Sequence, residues 1–150
     1  MRTITPAAPT IPALADRLRV VLARTARRLR QEAGADLGPT LTAALGTVER
    51  HGPLTPSELA AHERIQRPTA TRLIAKLEER GLIARAAVPG DARSSLLTIT
   101  PQGAAALAEI RTRKDAFLAL RLRALSAEDR ATLARAADLL EELLQDGERS

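Results

Sequence analysis

Several kinds of chemistry are closed to this chain by the residues it lacks. It has no cysteine and two histidines, His51 and His62, so thiolate nucleophiles, disulfides, thiolate-zinc sites and cysteine redox sensing are excluded. No third nitrogen, thiol or dense carboxylate cluster accompanies the histidines; they read as turn or surface residues, and no metal or other cofactor is expected. With no G-x-S-x-G elbow and no glycine-rich phosphate loop, an enzyme is not expected either. What the chain does carry is a dense set of groups suited to recognition. Gln66, Arg67, Pro68, Thr69, Thr71, Arg72 and Lys76 all fall within Ile65 to Gly81, the stretch IQRPTATRLIAKLEERG. Guanidinium, amide and hydroxyl groups of this kind meet base edges and phosphates in the major groove of DNA.

Spacing places these groups on a helix. Ala70, Leu73, Ile74 and Leu77 recur at the intervals of one buried face, and Arg72, Ala75 and Glu79 fall opposite. The helix dipole favours acids at the start of a helix and bases at its end. Here the cations come first and Glu78 and Glu79 wait until the last turn. Helix stability alone does not explain that order, whereas insertion of the N-terminal half into a major groove does. The competing reading is a merely solvated helix face.

The elements around this helix are legible. In Leu54-Thr55-Pro56-Ser57-Glu58-Leu59, Thr55 is the N-cap, Pro56 takes the first helical position, Glu58 completes a capping box and Leu54 staples against Leu59. The helix starting at Pro56 runs only to about Arg64, because Ile65 to Pro68 reopen the chain. Two short helices joined by a tight turn make a helix-turn-helix. Ser57, in the first turn of the supporting helix, lies where backbone N–H groups can take a phosphate. Gly81 closes the second helix and a strand follows from Ile83 to Ala87. Val88 to Ser95 reads as a turn and Leu96 to Thr100 as a returning strand. A hairpin placed there is a wing. Its expected tip carries Asp91, Arg93 and Ser94, with Arg93 positioned for an adjacent narrow minor groove.

The rest of the chain is helical in pattern. Residues 1 to 10 lack any period and read as a flexible tail. Ile11, Leu14, Leu18, Val21, Leu22, Thr25 and Leu29 trace one stripe at heptad-like spacing. Arg17, Arg24, Arg27, Arg28 and Arg30 lie elsewhere on that helix. A further helix starts at Pro39 and buries Leu41, Ala44, Leu45 and Val48. Another starts at Pro101 behind the cap Thr100 and reaches Leu122. The last begins at Ser126, with Asp129 as capping-box partner, and is expected to bury Leu133, Ala136, Leu139, Leu140, Leu143 and Leu144. The chain is therefore expected to be mainly α. Residues 37–100 form a winged helix-turn-helix of three helices and a β-hairpin, and 11–36 with 101–147 supply a dimerisation layer.

Composition agrees. The 150 residues carry a formal charge of +5, which suits a polyanionic partner. Arginine dominates, however, with Lys76 and Lys114 the only lysines, and a genome-wide compositional bias would account for that equally well. Without Trp or Tyr, and with Phe117 as the one aromatic residue, the core must be aliphatic, which favours helix packing. The first residues contain no long apolar run, so no signal peptide, no membrane association and a cytoplasmic location are expected.

Three blocks of this sequence resemble the MarR family of bacterial winged helix-turn-helix regulators. They are Leu54-Thr55-Pro56-Ser57-Glu58-Leu59-Ala60; Arg67-Pro68-Thr69-Ala70-Thr71-Arg72-Leu73 with Leu77-Glu78-Glu79-Arg80-Gly81-Leu82-Ile83; and Asp91-Ala92-Arg93 followed by Leu97-Thr98-Ile99-Thr100. The resemblance spans Ile11 to Leu144. It implies a homodimer that binds a pseudo-palindromic operator in double-stranded DNA, usually as a repressor. It further implies Arg67, Pro68, Thr69, Thr71 and Arg72 as major-groove and phosphate contacts, Arg93 as the minor-groove residue and Asp91 as the carboxylate orienting it. A small aromatic or anionic effector binding between dimer layer and winged unit is implied too. The sequence departs from the family where a serine cap is common: Gln66 stands there, a poorer N-cap but a candidate adenine reader. A nonspecific or architectural DNA-binding protein would share the charge and the winged fold, differing in the ratio of specific to nonspecific binding.

Overall fold

The computed structural model describes residues 8–34 and 36–148, so most of the expected N-terminal tail lies outside the described residues. Among them are six helices and one two-stranded antiparallel sheet: α1 (Ile11–Glu32), α2 (Pro39–His51), α3 (Pro56–Glu63), α4 (Arg67–Glu79), β1 (Ile83–Val88), β2 (Asp91–Ile99), α5 (Pro101–Arg123) and α6 (Ala127–Glu148). No helix among the described residues is long and apolar enough to cross a membrane. The chain divides into two compact units, one ending at Lys114 and the other beginning at Asp115.

The first unit holds an aliphatic core. Leu45, Leu59, Ile74, Leu77, Leu97 and Val48 are its largest fully buried side chains, drawn from α2, α3, α4 and β2. Leu54, Leu82, Ile83 and Leu107 complete it, with Leu37, Ile65 and Ile99 packed at its edge. α2, α3 and α4 each contribute one stripe, as their periodicity requires. Thr47, the buried polar residue of α2, donates its hydroxyl to the Glu63 carboxylate and so ties α2 to the end of α3. Glu49 on α2 forms an ion pair with Arg111 on α5. That contact, chiefly the hydrogen bond from the guanidinium, holds the Glu49 carboxyl below its ordinary pKa.

Where α4 ends, three elements are joined by main chain. Gly81 takes a left-handed φ of +70°, and the Leu82 carbonyl accepts from Thr100 N at 3.1 Å. The Thr100 hydroxyl donates to the Gly81 carbonyl at 2.6 Å while accepting from Gly103 N at 3.0 Å, which caps α5. Gly103 is buried there, and a Cβ on it would lie 2.1 Å from the Leu82 carbonyl oxygen.

The outer helices leave most of their apolar faces uncovered within one chain. α1 has no buried residue; Ile11, Leu14, Val21 and Leu22 are exposed. Thr10, at the end of the presumed tail, is its N-cap. In the second unit Ser126 caps α6 as expected, accepting from Asp129 N at 3.0 Å. The six positions α6 was expected to bury are not buried within one chain. Leu133, Leu139, Leu143 and Leu144 are exposed, and only Ala136 and Leu140 are half-covered. The period of a helix marks its apolar face and is silent on whether that face is covered by the same chain.

Gly103 gives a test with a reversed sign. Glycine to alanine inside a helix ordinarily stabilises by about 1 kcal/mol. Gly103→Ala should instead destabilise by about 1 to 3 kcal/mol, because the new methyl group meets a carbonyl that cannot recede. Urea unfolding followed by circular dichroism measures it, and an unchanged or raised midpoint would contradict the packing at the start of α5.

Candidate nucleic-acid interface

The supporting helix α3 is fixed at both ends by local chemistry. Thr55 Oγ1 accepts from Glu58 N at 3.2 Å and the Glu58 carboxylate accepts from Thr55 N at 2.7 Å, a complete capping box. These bonds, the one to the Thr55 backbone foremost, hold the Glu58 carboxyl below its usual pKa. Ser57 is exposed on this first turn. At the other end Arg64 adopts the left-handed region, φ 53° and ψ 45°, which is uncommon for a residue with a Cβ. That conformation makes the turn tight enough for Gln66 to open the next helix. Sequence reading passed over Arg64 because left-handed turns are usually marked by glycine.

α4 begins where Gln66 was expected to start it. Gln66 is the N-cap by backbone geometry but makes no side-chain capping bond. Its buried residues are Ala70, Leu73, Ile74 and Leu77, so the opposite face is turned outward. At 100° per residue that face carries Pro68, Arg72, Ala75 and Glu79, flanked by Arg67 and Thr71 on one side and by Thr69 and Lys76 on the other. Gln66, Arg67, Pro68, Thr71, Arg72 and Lys76 are exposed and Thr69 is half-buried. The Thr71 hydroxyl donates to the Arg67 carbonyl at 3.0 Å, leaving its acceptor side outward. Arg72 lies back along the first turn, its Nε 3.4 Å from the Pro68 carbonyl. The seven recognition residues picked from sequence thus lie on one element, around a common exposed face.

The wing departs from expectation in one respect. β2 begins at Asp91 rather than Leu96, and the tip is Pro89 and Gly90, the latter at φ +85°. Arg93 therefore stands on the strand just behind the tip. Asp, Arg and Ser have little β preference of their own, and pairing with β1 imposes the extended state. Ala87 opposes Ser95 while Val88 opposes Asp91, so residues 92–94 form a bulge. Asp91 organises it: one carboxylate oxygen accepts from Arg93 N at 3.0 Å, the other from the Ser94 hydroxyl at 2.7 Å. Both bonds, that of Ser94 foremost, keep the Asp91 carboxyl below its ordinary pKa. Asp91 thus meets the main chain of Arg93 rather than its guanidinium, and the exposed Arg93 side chain points from a braced backbone.

Two further features were not foreseen. His51 and His62 are both exposed, as expected, and their rings stack 4.2 Å apart at 15°. A cleft of about 760 Å³ opens within the first unit, lined by Ala26 and Leu29 of α1, Leu37 and Thr42 at the start of α2, and Ala106 and Ile110 of α5. Arg30, Arg113 and Lys114 stand on its walls beside Asp36 and Glu109. Arg113 pairs with Glu109 and also donates to the Ala33 carbonyl at 3.3 Å. The Asp36 carbonyl, on the same wall, accepts at 2.5 Å from Arg80, the C-cap of α4. The lining comes from two distant stretches, 26–43 and 106–114, which no local pattern brings together.

The helix-turn-helix and wing are matched by a model of the MarR family over residues 37–95. An uncharacterized HTH-type transcriptional regulator of Mycobacterium leprae is 34% identical, the match covering 89% of this chain and 94% of that one. A crystal structure of a protein described as a candidate transcriptional regulator, from Pseudomonas aeruginosa PA01, superposes with a TM-score of 0.82 at 36% identity, covering 91% of this chain and 99% of the other. A variant of Staphylococcus aureus MepR bound to an oligodeoxyribonucleotide shares the fold, with a TM-score of 0.68 at 21% identity over 87% of this chain and 97% of that one. On this ground the chain belongs to the MarR family and is a DNA-binding, helix-turn-helix transcriptional regulator.

Proposed function

We propose that the protein is a cytoplasmic, non-catalytic repressor that binds a pseudo-palindromic operator as a homodimer and is released by a small anionic or aromatic ligand. The observation that carries this reading is the exposed face of α4, with Gln66, Arg67, Thr69, Thr71, Arg72 and Lys76 around it, beside a wing whose Arg93 backbone is braced by Asp91. Two copies of α4 would enter successive major grooves about 34 to 36 Å apart on one side of the duplex. The first turn of α3, at Ser57, would meet a phosphate, and the Arg93 and Ser94 wings would lie in the flanking minor grooves. The MepR variant bound to an oligodeoxyribonucleotide, of the same fold, supports DNA as the partner. Two-fold symmetry is supported by the bare apolar faces of α1 and α6, where Leu143 and Leu144 are 65% and 74% exposed. Apolar faces of this extent ordinarily mark an interface.

The ligand reading rests on the cleft. Its alanine and leucine lining with Arg30, Arg113 and Lys114 suits an apolar ring bearing an anionic group. Its wall reaches the recognition helix through the bond from Arg80 to Asp36. A ligand acts there only by binding one spacing of the two α4 helices better than another.

Selection of bound duplexes from a random pool should enrich a two-fold symmetric site. No enrichment would favour the nonspecific, architectural alternative. On that site Arg72→Ala should relax discrimination at one base position per half-site, at about 1 to 3 kcal/mol. Arg93→Ala should weaken binding and flatten its salt dependence by about one unit of slope. Leu143→Arg should give monomers in sedimentation at micromolar concentration together with loss of operator binding; a dimer retained in that variant would place the interface elsewhere. In gel shifts, aromatic carboxylates should release the operator from the unaltered protein but not from Arg113→Ala, and no release by any anionic or phenolic compound would remove the sensing role.

A further inference from the structure

Beyond its first residue the outgoing strand β1 has little to pack against. In β1 Ile83 is buried, but Ala84, Arg85, Ala86 and Ala87 are all exposed, so the core grips the wing only at its base. A two-stranded ribbon on its own is marginally stable and bends readily. The alternation of side chains places Arg85 and its partner Leu97 on the face shared with Ile83, the face turned to the core. Leu97 is fully buried; Arg85 lies farther out, where that face has passed the edge of the core. There its guanidinium forms an ion pair with Glu78, in the last turn of α4, and lies 3.5 Å from the Ser95 hydroxyl on β2. One side chain thus joins the recognition helix to both strands of the wing.

We propose that Arg85, held by Glu78, is a positioning residue that sets the angle between recognition helix and wing, so that Arg93 and α4 engage one duplex together. The inference rests on the reading that Arg93 enters a minor groove. It explains why an acidic side chain stands in a helix directed at a polyanion: Glu78 serves the wing. Main-chain bonds at Gly81, Leu82 and Leu97 fix the base of the hairpin, and the Glu78 to Arg85 tie holds the ribbon beyond it without burying a charge.

Charge makes the test decisive. Glu78→Gln raises the formal charge of +5 by one unit, which by field effect alone should strengthen binding to DNA. The clamp requires the opposite: operator affinity, measured on the duplex selected from the random pool, should fall about two- to fivefold, the size of an exposed ion pair. Arg85→Ala should match it, and in either background the loss caused by Arg93→Ala should shrink, since a loosened wing no longer delivers that guanidinium. Circular dichroism melts of the variants check that each is folded at the assay temperature. If Glu78→Gln binds as well or better and Arg93→Ala costs as much in its background, the clamp is overturned and the wing reading stands. Loss in Arg85→Ala without loss in Glu78→Gln assigns Arg85 to DNA directly and also overturns it. Should Arg93→Ala bind as tightly as the unaltered protein, the wing reading fails, and the clamp with it.

Discussion

The first unit depends on what happens at Leu97. Its side chain is fully buried among those of α2, α3 and α4, while its main chain exchanges two hydrogen bonds with Leu54, at 2.7 and 3.2 Å. Leu54 is the residue before the N-cap of α3, and Leu97 lies opposite Arg85 in the wing. A single β-bridge therefore connects the start of the supporting helix to the returning strand of the hairpin. Without it the backbone groups of both residues would be buried unpaired, at a cost of about 1 to 3 kcal/mol each. The placement of the base of the wing on the helix-turn-helix follows from this contact together with the Thr100 bonds at the end of α4.

Given that frame, the recognition helix can afford poor local terms. Gln66 offers no capping bond, the first turn holds no acid, and Pro68, Thr69 and Thr71 are indifferent helix formers. What holds α4 is the burial of Ala70, Leu73, Ile74 and Leu77, with Ile74 and Leu77 almost wholly inaccessible. Fully burying residues of that size contributes about 1.5 to 3 kcal/mol each. This exceeds the few tenths lost per poor helix former and the kcal/mol or so of a missing cap. The outward face is thus released from stabilising its own helix, and its residues are those suited to a duplex. Local rules tend to be broken at functional sites in this way.

How far the molecule was legible follows from the range of the forces involved. The capping box of Thr55 and Glu58 was read from four residues and is present bond for bond, because all its partners lie within one turn. The buried stripe of α4 was legible for the same reason. The strand from Asp91 was not: its extended state is imposed by β1, and the side chains of Asp91, Arg93 and Ser94 taken alone favour a turn. Asp91 still supplies the turn chemistry expected of it, inside the bulge. The cleft was illegible because Ile110 lies more than 70 residues beyond Leu29 and Leu37 and meets them only through tertiary packing. The apolar face of α6 was legible as a pattern; what covers it was not, since Leu139 and Leu143 are exposed within one chain and a helix period marks a face without naming its partner.

The two ties on the last turn of α4 have different characters. Glu78 reaches forward to the wing through a charged pair on the surface. Arg80 reaches back to a main-chain carbonyl at Asp36, which belongs to the wall of the cleft. A surface ion pair is screened by salt and yields to small forces. The bond to a carbonyl engages a charged donor, so it is stronger than a neutral pair and moves with the backbone that carries the acceptor. The end of α4 is thus joined forward to the wing and back to the wall of the cleft, so both parts of the first unit are held at one point of the helix.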